Sequence, residues 1–226
     1  MVRLTDWIDR TVELKPGVRR GDDILASIVH SFGFLLAAAA AVHLVSVAAG
    51  FDSPPAVAGS LVYGLSMCGV FAASSLYHGL RPSFAKKVLR LLDHSSIYVL
   101  IAGTYTPYAL ATGGESGRIL LVSIWFLCIV GLATNVVFWG RFKALHIAVY
   151  LVMGWLVVFF WRPFADAAPP GQMRWMLIGG ICYTVGVVFY VARGIPRSHV
   201  IWHLFVVAGA AGLHVGILRY AVRHIG

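Results

Sequence analysis

The chain has 226 residues, of which 59% are hydrophobic and only 12% charged, and its mean hydropathy is +0.82. An average soluble domain is about a quarter charged, so this composition excludes a water-soluble enzyme and a disordered chain. The net charge of +9 would suit a nucleic-acid partner, but the basic residues are scattered among apolar runs, so no nucleic-acid binding is expected. At roughly 20 residues per membrane span, the chain has room for about seven spans.

Residues 1–23 lack the apolar core of a signal peptide and are predicted to form a cytoplasmic or interfacial segment. Apolar residues recur there at helical spacing, opposite the charged residues: Leu4, Trp7, Ile8 and Val12. This pattern is typical of a short helix that lies in the membrane interface and ends at Pro16-Gly17. A solvated tail is the alternative interpretation.

Residues 24–222 are predicted to form one transmembrane domain. Its apolar runs lie at about 24–49, 56–80, 88–111, 118–138, 144–164, 173–192 and 199–222. Short breaks rich in Gly, Pro, Asp and Ser separate these runs. Connections this short imply sequential antiparallel helices. The expected fold class is therefore an all-α membrane protein, a seven-transmembrane helix bundle.

The distribution of Lys and Arg predicts the orientation of the bundle, because cytoplasmic loops are enriched in these residues. All but five of the 18 basic residues fall in the N-terminal segment or near the loops that return to its side. The five on the opposite side are Arg118, Arg162, Arg174, Arg219 and Arg223. We therefore expect a multi-pass protein of the cell (plasma or inner) membrane, with its N-terminus in the cytoplasm and its C-terminus outside.

One acidic residue, Asp93, lies inside an apolar run, near the cytoplasmic end of the third predicted span. Burying an ionisable group in a membrane is costly unless the group is paired, so its presence indicates a function. The alternative is a salt bridge at the helix end to Arg90, about one turn earlier.

Histidines in the second and the seventh predicted spans point to a metal site. His199 and His203 stand four residues apart, which places both rings on one face of a helix, and His78 ends the second span one turn after Ser74. In the predicted topology these histidines and Asp93 meet at one depth, just inside the cytoplasmic face. Three imidazoles with a fourth position open to water are typical of a catalytic zinc site, although copper, nickel and iron also bind imidazole. The alternative is that a chain with nine histidines places some of them at this depth by chance.

Three further histidines are expected to support the site or to line a cavity beside it. His94 follows Asp93 and projects about 100° away from it, which favours packing or a supporting contact. His30, at the cytoplasmic end of span one, is a candidate to support a ligand. His214 shares the face of His203 but lies roughly 16 Å deeper by helical rise, too far for the same ion. It is expected either to line a cavity or to hydrogen-bond across helices.

Three stretches carry a family resemblance: SSLYHGL at 74–80, LLDHSSIYVLIAGTYTPY at 91–108 and SHVIWHLFVVAGAAGLHVGIL at 198–218. Together they resemble the hemolysin III family, the bacterial branch of the progestin and adiponectin receptor (PAQR) family. The similarity extends over essentially the whole region of the seven predicted spans. The resemblance implies a membrane protein with bound Zn²⁺.

The resemblance also implies roles for individual residues. His78, His199 and His203 match the zinc ligands of the family, Asp93 matches an acid that contacts zinc through water, and Ser74 matches the serine of an S-x3-H motif. Family members often have Glu followed by Asn shortly before a histidine near span one. This chain departs from that pattern, with other residues in the region: Asp22, Asp23, Ala26 and Ser27. The role of that N-terminal motif is therefore left unassigned.

By resemblance, the expected function is zinc-dependent intramembrane hydrolysis of lipid amides, similar to that of ceramidases, with membrane lipids as partners. Asp93 would move the proton, and Ser74 would orient the water or the oxyanion. One alternative is a receptor-like or lipid-sensing protein in which zinc clamps helices together. Another is the cytolytic role in the family's name. The substrate and the oligomeric state stay open.

Overall fold

A computed structural model describes residues 3–14, 19–167, 170–192 and 194–226. Within these ranges the regular secondary structure is helical. The helices are α1 (Leu4–Thr11), α2 (Arg20–Ala49), α3 (Pro54–Gly79), α4 (Phe84–Thr112), α5 (Gly114–Val137), α6 (Lys143–Gly154), α7 (Trp161–Ala167), α8 (Pro170–Val191), α9 (Ser198–Gly216) and α10 (Val222–Ile225). A 3₁₀ segment, Leu156–Phe160, lies between α6 and α7, and a π-helical segment, Ile217–Ala221, joins α9 to α10.

Six helical segments in the described part of the chain are long and apolar enough to cross a membrane, where seven were expected. They are Arg20–Ala49, Pro54–Gly79, Gly114–Val137, Ala144–Asp166, Gly171–Val191 and Ser198–Ile225. The remaining predicted span lies in α4, which has membrane length at 29 residues. Its first turns carry charged side chains and its second half is rich in Thr and Tyr, so its composition alone does not qualify it.

Helix α4 lies inside the bundle, where it contacts α1, α3, α5, α6, α7 and α10. Two of its buried threonine hydroxyls are satisfied by its own backbone: Thr104 donates to Leu100 O at 2.7 Å and Thr106 donates to Ala102 O at 2.9 Å. Such internal pairing is required where no water is at hand. An interior position surrounded by protein explains why α4 tolerates the most polar sequence of the long helices.

Neighbouring helices along the chain pack side by side, and the first long helix closes on the last. Helix α2 packs on α3, α3 on α4, α4 on α5 and α8 on α9, while α2 also contacts α9. Small residues permit close approach between α3 and its neighbours, since a Cβ at Gly64 would meet Ala41 and a Cβ at Gly103 would meet Ser66. The α2–α9 contact brings the beginnings of these two helices together.

The fifth predicted span, 144–164, is interrupted. Helix α6 ends at Gly154, and the chain continues through the 3₁₀ segment into α7. The hydroxyl of Tyr105, from α4, donates to Gly154 O at 2.8 Å and accepts from Val157 N at 3.1 Å. One side chain therefore satisfies two backbone groups at the interruption.

The N-terminal helix α1 packs against the bundle. Ile8 and Val12 are buried against Trp139, and Lys87 Nζ donates to Asp9 Oδ1 at 2.7 Å. Helix α1 therefore covers part of the beginning of α4. The predicted end of this helix, Pro16-Gly17, lies outside the described residues.

Candidate metal centre

Three histidines from two helices converge at one end of the bundle. His78 is near the end of α3, and His199 and His203 lie in the first two turns of α9. One ligand atom from each residue lies within 4.8 Å of the other two. The ring centroid of His78 is 5.1 Å from that of His199 and 4.8 Å from that of His203. His78 and His203 are only 2% and 4% exposed, so this cluster could hold a metal ion away from bulk solvent.

Asp93 and Ser74 line the same cavity as the three histidines. Asp93 Oδ2 lies 3.4 Å from His94 Nδ1, and Ser74 is buried on α3 one turn before the histidine of that helix. Of the ion pairs formed by the described residues, none joins Asp93 to Arg90. The Arg90 guanidinium instead stands 5.6 Å from the centroid of a Trp139 ring. The salt-bridge interpretation of Asp93 is therefore not supported.

A cavity of about 160 Å³ extends from the histidine cluster into the bundle. Much of its wall is aromatic or aliphatic, including Tyr105, Tyr150, Trp155, Tyr183, Trp202 and Leu213. Along α9 the wall reaches from His199 to Leu213, which corresponds to about 21 Å at 1.5 Å per residue. The polar cluster therefore stands at one end of a long, mostly apolar chamber.

Two residues of α2 form hydrogen bonds with two of the clustered histidines. Asp23 Oδ1 lies 2.9 Å from His78 Nδ1, and His30 Nε2 lies 2.6 Å from His203 Nδ1. The second carboxylate oxygen of Asp23 accepts from Lys86 Nζ at 2.9 Å. The sequence singled out His30 but left Asp23 and Lys86 without a role. The available signal was spacing, because Asp23 precedes His30 by seven residues, about two helical turns, and so shares its face.

His214 lies apart from the cluster. Its ring stacks on Tyr63 of α3 with centroids 6.0 Å apart. Within the described part of the chain, His214 is absent from the cavity wall, and its Nδ1 is buried without a hydrogen-bond partner. The ring therefore contributes to the packing of α3 against α9.

Comparison with known proteins identifies the family. The sequence matches the family model described as "Haemolysin-III related" over residues 20–214. It is 38% identical to "Hemolysin-3 homolog" of Bacillus subtilis (strain 168) over 203 residues, which cover 89% of this chain and 95% of the relative. "Hemolysin-3" of Bacillus cereus is 36% identical over 202 residues, with 89% and 92% covered.

A more distant relative lies outside bacteria. The "Monocyte to macrophage differentiation factor" of Homo sapiens is 30% identical over 174 residues, which cover 72% of this chain and 70% of the relative. The family match of 20–214 includes all the clustered histidines together with Asp93, Ser74 and the α2 residues behind them. The expected resemblance is confirmed: this multi-pass protein of the cell membrane belongs to the haemolysin III-related family.

Proposed function

We propose that the protein is a zinc-dependent intramembrane hydrolase of lipid amides. The observation that carries the proposal is the position of the histidine cluster, which shares a long apolar cavity with Asp93 and Ser74. A site that only held helices together would need neither the apolar cavity nor the Asp93 carboxylate and the Ser74 hydroxyl in its wall. These features together support catalysis.

The donor set fits zinc. His199 Nε2 and His203 Nε2 are 3.2 Å apart, close to the roughly 3.3 Å that separates two nitrogens on a tetrahedral zinc ion. His78 Nε2 is buried without a hydrogen-bond partner among the described residues, as expected of a nitrogen that serves as a metal ligand. Zinc bound by these three nitrogens would supply a Lewis acid and a water of lowered pKa.

In this proposal Asp93 moves the proton of the reaction. In hydrolysis of an amide, its carboxylate accepts a proton from the attacking water and returns it to the nitrogen of the leaving amine. His94 Nδ1 lies beside this carboxylate, 3.4 Å from Asp93 Oδ2. The Ser74 hydroxyl donates a hydrogen bond to the oxygen on which negative charge develops.

The shape of the cavity supports a lipid as substrate. Its apolar wall suits a hydrocarbon chain, while the polar groups at one end suit the amide of that lipid. A ceramide-like amide combines both parts in one molecule. The choice of ceramide over other lipid amides rests on the family resemblance.

Two other functions remain as alternatives. In the first, zinc acts as a clamp that ties α3, α4 and α9 together in a receptor-like or lipid-sensing protein, and no substrate is turned over. In the second, the protein is cytolytic, an activity that the name of the relative from Bacillus cereus suggests.

The test uses the full-length protein in detergent and in bilayers. Zinc content is measured by mass spectrometry, and fatty-acid release is followed for ceramide-like amides of several chain lengths, with and without prior removal of the metal by a chelator. Zinc-dependent release supports the hydrolase. Zinc-replete protein that turns over none of the amides, but loses thermal stability when the metal is removed, supports the clamp. Lysis of erythrocytes without amide turnover supports cytolysis.

A further inference from the structure

Helix α2 supplies none of the three clustered histidines, yet it contacts two of them. Asp23 Oδ1 lies 2.9 Å from His78 Nδ1. Because a carboxylate accepts hydrogen bonds, this contact keeps the ring hydrogen on Nδ1 and leaves a lone pair on Nε2. That Nε2 is the atom that is buried without a hydrogen-bond partner among the described residues. The contact therefore selects the form of His78 that can bind a metal.

Asp23 is itself held by a buried cation. Lys86 Nζ donates to Asp23 Oδ2 at 2.9 Å and to Leu80 O at 3.0 Å. Lys86 is 5% exposed, so its charge is balanced within the protein by this carboxylate. Both oxygens of Asp23 are engaged, one by the histidine and one by the lysine. The orientation of the carboxylate, and with it that of the His78 ring, is fixed by three helices.

His30 makes the corresponding contact with a second ligand. His30 Nε2 lies 2.6 Å from His203 Nδ1, and the two rings meet edge to face with centroids 4.5 Å apart. For His203 to offer Nε2 to a metal, its ring hydrogen must reside on Nδ1, where His30 Nε2 accepts it. His30 is 2% exposed, so water does not compete for this hydrogen bond.

We propose that Asp23 and His30 are positioning residues of the metal site: through Nδ1 they fix the rings of His78 and His203 so that both present Nε2 to one ion. The two lie about two turns apart on the face that α2 buries, with the buried Ala26 between them. Partners of this kind set the tautomer and basicity of a histidine ligand. The proposal rests on the metal site of the proposed function and is independent of whether that site is catalytic.

The test measures metal binding by the full-length, metal-free protein in detergent. Zn²⁺ is titrated in competition with a chromophoric chelator, and the visible spectrum of bound Co²⁺ reports the coordination geometry. Asp23→Asn and His30→Phe are each expected to weaken Zn²⁺ binding by about 10- to 100-fold and to change the Co²⁺ spectrum. The matched controls are Asp22→Asn and His43→Phe, which change the same residue types at other positions of α2 and leave the Asp23–His78 and His30–His203 hydrogen bonds intact. Both controls are expected to bind like the wild type.

Asp23→Asn also deprives buried Lys86 of its anion, which could disturb folding. The double variant Asp23→Asn with Lys86→Met removes both charges and leaves His78 without its carboxylate, so its Zn²⁺ affinity should stay low. Asp23→Glu keeps a carboxylate and should recover part of the affinity. Thermal unfolding of each metal-free variant shows whether the fold is retained.

The outcomes separate this inference from the metal site itself. Wild-type protein that binds neither Zn²⁺ nor Co²⁺ would overturn both. Wild-type binding accompanied by unchanged affinity and spectrum in folded His30→Phe, and in folded Asp23→Asn or its double variant with Lys86→Met, would overturn the positioning roles alone. Equal losses in the variants and their matched controls would likewise reject them, because the effect would then be general to α2.

Discussion

The Nε2 atoms of His199 and His203 lie 3.2 Å apart, one turn from each other on α9. His78 reaches the same point from α3, and its ring centroid is 4.8 Å from that of His203. Two helices that are far apart in sequence therefore depend on one another for a complete set of three nitrogens. This dependence makes the consequence of removing any one ring straightforward to predict.

We expect His203→Ala to reduce Zn²⁺ affinity by more than the roughly 10- to 100-fold loss typical of residues that only support a ligand. Two imidazoles leave the ion with half of its tetrahedral coordination. The measurement is zinc stoichiometry after purification, with competitive titration for the affinity. His224→Ala, a change at an exposed histidine near the end of the chain, is the control. Retention of one zinc per chain in His203→Ala would remove this residue from the ligand set.

Asp93→Asn should leave zinc in place and lower the rate of amide hydrolysis by about 10²- to 10⁴-fold. The amide matches the carboxylate in size and still holds a water, but it does not accept the proton. Zinc content and turnover are measured on the same preparation, and Asp166→Asn, at an exposed position far along the chain, serves as control. An Asp93→Asn protein with wild-type turnover would rule out proton transfer by this residue.

Gly103→Ala should destabilise the bundle by about 1–3 kcal/mol, the usual cost of overpacking a core. A Cβ there would meet the side chain of Ser66 on α3. Apparent unfolding temperatures in detergent measure the effect. Gly69→Ala is the matched control, because a Cβ at that glycine of α3 meets nothing within 4 Å. Adding Ser66→Gly to Gly103→Ala should restore part of the loss; no recovery would place the strain elsewhere.

The distribution of basic residues predicts an N-terminus in the cytoplasm and a C-terminus outside. Reporters that are active on only one side of the membrane, fused to each terminus in turn, measure this orientation. Opposite results from the two fusions agree with an odd number of spans and with α4 crossing the membrane. Both termini on the same side would mean that α4 does not span, leaving the six segments that qualify by composition.

The membrane class, the helical bundle and the residues of the histidine cluster were all accessible from sequence. Hydropathy locates most of the long helices, and a four-residue spacing such as that of His199 and His203 fixes a shared face. The role of Asp23 was not accessible, because a carboxylate near the beginning of α2 looks like an ordinary solvated helix end. Its function depends on the packing of α2 beside α3, which brings it to His78, and on Lys86, which reaches it from α4.

The interruption of the fifth predicted span was also hidden. Residues 155–160 are Trp, Leu, Val, Val, Phe and Phe, with no Pro or Gly among them. The break is stabilised by a partner from another helix, since the Tyr105 hydroxyl bonds to both Gly154 O and Val157 N. Local sequence patterns carry no information on a side chain that arrives from about 50 residues earlier.

The hydrogen bond between His30 and His203 spans 173 residues of sequence. Chains are synthesised from the N-terminus, so α2 is made while α9 is still to come. The three clustered rings come together only after α9 has been made and has docked on α2. Binding of a metal ion by all three rings would therefore require α9, because a chain that stops before α9 lacks two of the three imidazoles. A bound metal ion would then distinguish the molecules in which α9 has docked from those in which it has not.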